Sequence, residues 1–384
     1  MRRWPVLAVL LLGASLLTPV ANAPVDHHEW RSAAFAQGVS EGVRPASGGL
    51  VVDRPIGREA GYDYARWTSP VHPTRFGATQ IVPSWNADTP AGTWIRVDLR
   101  GPGTDWYVMG RWAYGDSDIE RTSVPGQSDE HGYVDVDTFQ AAEGHAQREF
   151  QLRVTLYRKA GTPVTPTLSM VGAMASAVPD RFTVPTSAPG PARGVELRVP
   201  RYSQNLHAGG EAWCSPTSTA MVVEYWGRGP KPEELDPNLP DPRVEHAAEH
   251  TYDLDYDGAG NWPFNTAYAA SFGLRGHVTR LRSLTELERY VARGVPVITS
   301  QSFREDELDG AGYGTAGHIM VVIGFTRAGD VIANDPASSS NEAVRRVYPR
   351  AQFETIWLRT KRYAADGSVA GGSGGIVYII EPAR

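Results

Sequence analysis

Residues 211–227 read Glu211-Ala-Trp-Cys-Ser-Pro-Thr-Ser-Thr-Ala-Met-Val-Val-Glu-Tyr-Trp-Gly227. Pro216 suits the first turn of a helix, where its missing N–H would have no partner anyway, and Gly227 suits the end. A helix over 216–226 follows, with Met221, Val222 and Tyr225 as the apolar stripe that buries it. Cys214 then stands at or just before the helix N-terminus, where the partial positive charge of the aligned peptides favours thiolate over thiol.

Cys214 is the single cysteine of the 384-residue chain. The first 23 residues carry Arg2 and Arg3, an apolar run over 6–17, and Ala21-Asn22-Ala23 as a small-x-small cleavage site. This is the pattern of a secretory signal. The apolar run is shorter than the roughly 20 residues a spanning helix needs, so the expectation is an exported protein starting near Pro24 with no permanent membrane anchor. Disulfides persist in that compartment, yet one cysteine cannot form one within its own chain. Base rates favour a buried, inert thiol; the helix start argues for a reactive one.

Working outward, the segment 178–194 (VPDRFTVPTSAPGPARG) holds four prolines and reads as a semi-rigid linker. Upstream, residues 93–100, 106–112 and 149–157 alternate apolar and polar side chains between Gly, Pro and Asp turns. Period two without helical stretches indicates an antiparallel β-sandwich, jelly-roll-like, over 24–177. Trp67, Trp85, Trp94, Trp106 and Trp112 suit its core better than a carbohydrate or peptide groove. Downstream, helices are expected over 216–226, 265–272 and 284–292, then strands over 295–300, 318–325, 331–334 and 376–380. Helices first and a sheet afterwards make an α+β domain over 195–384.

A thiolate needs an imidazole partner, and this domain offers His207, His246, His250, His277 and His318. His318 opens the apolar strand GHIMVVIGF, which fixes its ring while leaving one end free to face a cleft. The next strand returns after a short turn at Ala328-Gly329. With 326–329 as the loop, Asp335 falls opposite Met320 and shares a sheet face with His318. A carboxylate there would hold the ring through Nδ1, which is the logic of nucleophile, base and orienting group. Asn334 is the alternative orienting residue; strand parity favours Asp335. Gln204, ten residues before Cys214, is placed to offer its amide with the Cys214 N–H to a developing oxyanion.

The order Gln204, Cys214, His318, Asp335, with AWCSPTSTAMVVEYWG, GHIMVVIGF and NDP, resembles the papain-like cysteine peptidases, most closely the bacterial leader-peptidase-like family, peptidase family C39. It covers about residues 195–382. The resemblance implies a papain-like domain in which Cys214 attacks, His318 is the base, Asp335 orients it and Gln204 lines the oxyanion hole. Trp213, Trp262 and Gly317 complete the expected substrate site. No cofactor or metal is implied, and the partner is a peptide or protein. The same triad would also serve cleavage of cell-wall stem peptides or acyl transfer, and a secreted binding protein that has lost activity is the non-enzymatic alternative.

Net charge is −6, from 37 basic and 43 acidic residues, and becomes about −8 without the signal, which disfavours nucleic acid as a partner. Asp253, Asp255, Asp257 and Gly258 imitate a calcium loop, but its twelfth position is Phe264 instead of a bidentate Glu, so a solvated acidic loop is expected. His246 and His250 lack an HExxH pattern and read as surface histidines. His27 and His28 read as a disordered start. Residues 364–375 (AADGSVAGGSGG) read as a flexible loop, with a lid as the alternative.

Overall fold

A computed structural model of the chain describes residues 23–383. The expected signal segment lies, but for Ala23, outside the described residues. Among these no helix is long and apolar enough to cross a membrane.

The N-terminal half consists of two antiparallel sheets. One is centred on Gln80–Asp88 and Thr167–Ser176, the other on Tyr62–Thr68, Thr93–Arg100 and Gln147–Lys159. Trp30, Trp67, Trp85 and Trp112 fill the space between them with Val97, Leu99 and Leu152, all essentially inaccessible. The strands are more deeply covered than alternation predicts: on Thr93–Arg100 only Arg96 and Arg100 reach solvent. Its outer side is shielded because Trp94 stacks flat on Tyr157 at 3.7 Å, and because buried Asp98 binds Arg96 (3.1 Å) and Arg153 (2.9 Å). Trp106 is not core; its ring lies 4.5 Å from the Arg100 guanidinium and 4.2 Å from that of Arg153.

His27 and His28 are not disordered. They belong to the strand Val25–Arg31, which pairs along its whole length with Thr167–Ser176. Polar residues were enough to hide this strand, because its order comes from the neighbour it pairs with. Residues 178–194 lack regular structure yet are pinned along the C-terminal domain: Ser187 N–H donates to Glu354 Oε2 (2.7 Å) and Gly190 N–H to Glu288 Oε1 (2.8 Å).

The C-terminal half is a six-stranded antiparallel sheet in the spatial order Leu274–Arg280, Ile376–Pro382, Val297–Phe303, Thr315–Phe325, Val331–Asn334, Arg345–Tyr348. Helices α1 (Cys214–Tyr225), α2 (Pro242–Thr251) and α3 (Trp262–Ala270) precede it in the chain. Helices α4 (Leu284–Val291) and α5 (Arg350–Leu358) are interleaved with its strands. Ile319, Val321 and Ile323 join the core of α1 and α3, whereas Met320 and Val322 join the core of α4 and α5, as period two requires. The expectation of helices first and a sheet afterwards therefore needs correction. The edge strand Leu274–Arg280 comes before α4, and α5 sits between the last strands.

That edge strand explains its own illegibility. Its polar residues are buried at the junction between the two halves: Asn86 Nδ2 donates to Gly276 O (2.8 Å), Val278 N–H to Ser84 Oγ (2.9 Å), and Arg280 Nε to Ser176 Oγ (3.1 Å). His277 stacks on His27 with ring centroids 4.4 Å apart. Burial, reinforced by Arg275, holds His277 neutral well below the usual imidazole range and brings His27 down to about 4. One continuous apolar core joins Trp85 and Trp112 to Phe264 of α3.

Candidate active site

Helix α1 is buried on every side from Ser215 to Val223, so the single apolar stripe read from the sequence is too narrow a description. Three of its four small hydroxyl residues find a partner: Ser215 Oγ pairs with Tyr378 Oη (2.9 Å), Ser218 Oγ donates to Ile319 O (3.3 Å), and Thr219 Oγ1 to Asn265 Oδ1 (3.1 Å), whereas Thr217 Oγ1 is buried without one. These contacts tie the helix to the sheet and to α3, and fix Cys214 as its first residue. The chain reaches that point through a tight turn at Gly209, whose φ is 81°. A Cβ on the next residue, Gly210, would lie 1.9 Å from Gln204 O.

His318 is the fourth residue of Thr315–Phe325, and its ring is buried. In the adjoining hairpin Asn334 pairs with Val321, which places Asp335 level with Met320. His318 Nε2 lies 2.8 Å from Asp335 Oδ1. The carboxylate thus meets Nε2, not Nδ1, because Asp335 approaches the outer end of the ring. Asn334 turns away and donates to Pro200 O (2.8 Å).

Asp335 is saturated. Oδ1 also accepts from Ala337 N–H (3.0 Å), and Oδ2 accepts from Tyr313 Oη (2.9 Å) and Tyr348 Oη (2.6 Å). Burial alone would raise this carboxyl, but the His318 charge and hydrogen bond, with both tyrosine hydroxyls, hold it below the usual carboxylate range. Burial of His318 favours its neutral form. Asp335 outweighs that, a hydrogen bond and charge from Cys214 add to it, and the ring is pushed up to about 10. Tyr313 and Tyr348 are displaced upward by burial and by Asp335.

Cys214 and His318 open on one cavity of about 1040 Å³. Gln204, Trp262 and Gly317 line it, as do Tyr256, Tyr313 and Arg346. Gln204 is buried. Its Nε2 donates to Glu211 O (2.9 Å), and its backbone N–H donates to Pro336 O (2.9 Å), so the cysteine and aspartate loops are joined directly. Trp213 is not among the lining residues; its ring instead lies 6.0 Å from that of His207. The reason is that Trp213 is the N-cap position of α1, with its side chain turned toward the His207 loop.

Three other readings change. Asp253 is not solvated: it is fully buried and accepts from Ser123 and Asn261. His246 is not a surface residue. It is buried between Tyr268 Oη (2.9 Å) and Tyr114 Oη (3.3 Å) and stacked on His250 at 3.9 Å. Residues 361–371 form a hairpin, Lys361–Tyr363 with Val369–Gly371. Among the described residues no group of three His, Cys, Asp or Glu side chains is arranged to hold a metal ion.

Tyr313, Tyr348, Tyr256 and Arg346 are the residues that sequence reasoning missed. Tyr348 becomes legible only once Arg345–Tyr348 is known to pair with Val331–Asn334, since the register Val331 to Tyr348 sets Tyr348 on the face of Asp335.

A cysteine at the start of a buried helix, facing a histidine held by a carboxylate across a shared cavity, defines an α+β domain equipped for thiol chemistry. Residues 196–365 match the Peptidase C39 like family, and residues 26–176 match the Peptidase C39 N-terminal domain. The C-terminal part of the chain thus matches a C39-like family and the N-terminal part the domain named for the same peptidases, which points to a cysteine peptidase. No curated protein matches the chain.

Proposed function

We propose that the protein is a secreted cysteine peptidase that hydrolyses peptide bonds through Cys214, His318 and Asp335, in a papain-like arrangement. The observation that carries this reading is the 2.8 Å contact between His318 Nε2 and Asp335 Oδ1 in a ring that lines the same cavity as Cys214. Asp335 favours the charged ring, the form that can give a proton to a leaving nitrogen.

The thiolate attacks the carbonyl carbon of the scissile bond. Charge moves to the carbonyl oxygen, toward the Cys214 N–H, which as a first-turn donor has no intrahelical acceptor, and toward the amide of Gln204. Each such donor is worth about 3 to 4 kcal/mol in the transition state. His318 gives its proton to the leaving nitrogen as the C–N bond breaks, leaving a thioester. Water then attacks the thioester with His318 as base, the C–S bond breaks, and the acid leaves. Asp335 keeps the ring oriented throughout and favours its charged form each time a proton returns to it. The signal-like segment at 1–23 supports export.

The test is mass spectrometry of a proteome-derived peptide mixture incubated with purified protein, beside Cys214→Ala. New peptide termini that vanish with Cys214→Ala are expected. Identical products from both proteins, or none from either, would overturn the reading.

A further inference from the structure

We propose that the N-terminal β-domain anchors one wall of the substrate cleft, with Asp137 and Ser123 as positioning residues for the cavity-lining segment 256–262. This rests on the reading of the cavity as the substrate site, and gives the N-terminal domain a positioning part in substrate binding.

The wall comprises Tyr256, Asp257, Gly258, Ala259, Gly260 and Trp262. It is a closed loop, with Asp253 N–H donating to Gly258 O (2.9 Å) at its base. Nothing in its sequence would fix where the loop projects; its two ends are fixed by the other domain. At the first end, Asp253 Oδ1 accepts from Ser123 N–H (2.8 Å) and Ser123 Oγ (3.1 Å), then turns back to Tyr256 N–H (3.3 Å). Asp253 Oδ2 accepts from Asn261 Nδ2 (2.9 Å), and Leu254 N–H donates to Arg121 O (2.9 Å). At the second end, Asp137 Oδ2 accepts from Trp262 N–H (2.8 Å), the first donor of α3, which has no acceptor within its own helix.

Both carboxylates are buried, so each contact is made where water cannot replace it. Asp257 has a φ of 53°, a conformation that a non-glycine residue keeps only when its surroundings over-determine it. Behind the wall, Phe264 packs on Trp112 at 5.4 Å and Trp85 at 6.0 Å, so the apolar side of the same helix is also seated on the N-terminal domain. Burial raises the Asp137 carboxyl to about 7 against the opposing pull of Trp262 N–H and Thr138 Oγ1. Charged or neutral, the carboxyl keeps an acceptor oxygen for Trp262 N–H.

The experiment compares two alkylating probes on the full-length protein. Iodoacetamide reads the Cys214–His318 pair alone; a mixture of N-acetyl-dipeptidyl chloromethyl ketones reads that pair together with the wall. Asp137→Ala should lower the rate ratio of peptidyl reagent to iodoacetamide by about tenfold, the size expected for losing one buried hydrogen bond. The iodoacetamide pH profile should not move. Asp137→Asn keeps an acceptor oxygen and should restore most of the ratio. Ser123→Ala, which removes one donor and spares the backbone N–H, should lower the ratio in the same direction by about threefold, and decides the question if Asp137→Ala does not fold. An unchanged ratio in the folded variants would overturn the proposal while leaving the peptidase reading intact. Failure of both probes to label Cys214 in the unsubstituted protein would overturn the peptidase reading and the proposal with it.

Discussion

Replacing Asp335 by asparagine isolates what the carboxylate does to His318. Asp335 supplies the largest pull toward the charged ring, whereas burial, which opposes charge, is untouched by the substitution. The ring's proton affinity should therefore drop from about 10 to below the free value of 6.5. Geometry leads to the same result. The carboxylate accepts four hydrogen bonds, from His318, Ala337, Tyr313 and Tyr348. An amide oxygen can face only one side of that set, so its NH₂ must meet either the tyrosine hydroxyls or Nε2; the latter is satisfied only by a neutral ring that accepts there. At pH 8 a ring titrating at 6.5 is protonated in only about one molecule in 30, so kcat/KM should fall at least about 30-fold, equivalent to about 2 kcal/mol. The alkaline limb should move down by more than three pH units. The assay is kcat/KM against pH for a peptide that the unsubstituted enzyme cleaves, with iodoacetamide labelling to show that Cys214 remains accessible. A variant retaining its activity and an alkaline limb near pH 10 would refute the argument. Stability follows the same sign. A folded-state value raised above the unfolded one contributes stability that is complete below about pH 6.5 and is lost as pH rises through about 10, and Asp335→Asn should lack this dependence.

Tyr348→Phe removes the 2.6 Å donor to Asp335 Oδ2 and leaves that of Tyr313. The loss of one buried hydrogen bond to a charged group, about 1.5 to 3 kcal/mol, should raise the Asp335 carboxyl by about one to two pH units and move the acid limb of activity upward by a similar amount, read from kcat/KM against pH. Acid should also loosen the junction between the two halves. His27 and His277 are both held neutral in the fold, so stability is complete above the unfolded value of about 6.5 and is lost as pH falls toward about 4, at up to about 1.4 kcal/mol per pH unit for each ring. Urea midpoints at pH 7 and pH 5 test this, and equal midpoints would show that the pair does not govern the acid limit.

The site was legible where its chemistry is local. One cysteine, a proline two residues later and a glycine eleven beyond that fix a helix start under a thiol. Strand alternation with a loop over 326–329 sets His318 and Asp335 on a common face; the structure reaches the same pairing with a loop one residue longer and a compensating register shift between Val322 and Gly324. Strand periodicity likewise exposed the sheets, because a period of two or 3.6 is a property of neighbouring residues. The edge strand Leu274–Arg280 and the strand Val25–Arg31 stayed hidden, since their polar side chains are buried only by partners far away in the chain.

By itself, then, the sequence determined the helix that presents the thiol, the candidates for its partner, and a β-rich half joined to a mixed half. Tertiary structure decided which ring nitrogen meets the carboxylate, that two tyrosines hold that carboxylate, and that Asp137 and Ser123 of one half anchor the cleft wall of the other. The physical reason is range. Backbone period and capping act over a few residues, whereas burial and hydrogen bonding between segments 13 to 130 residues apart exist only after the chain has closed on itself.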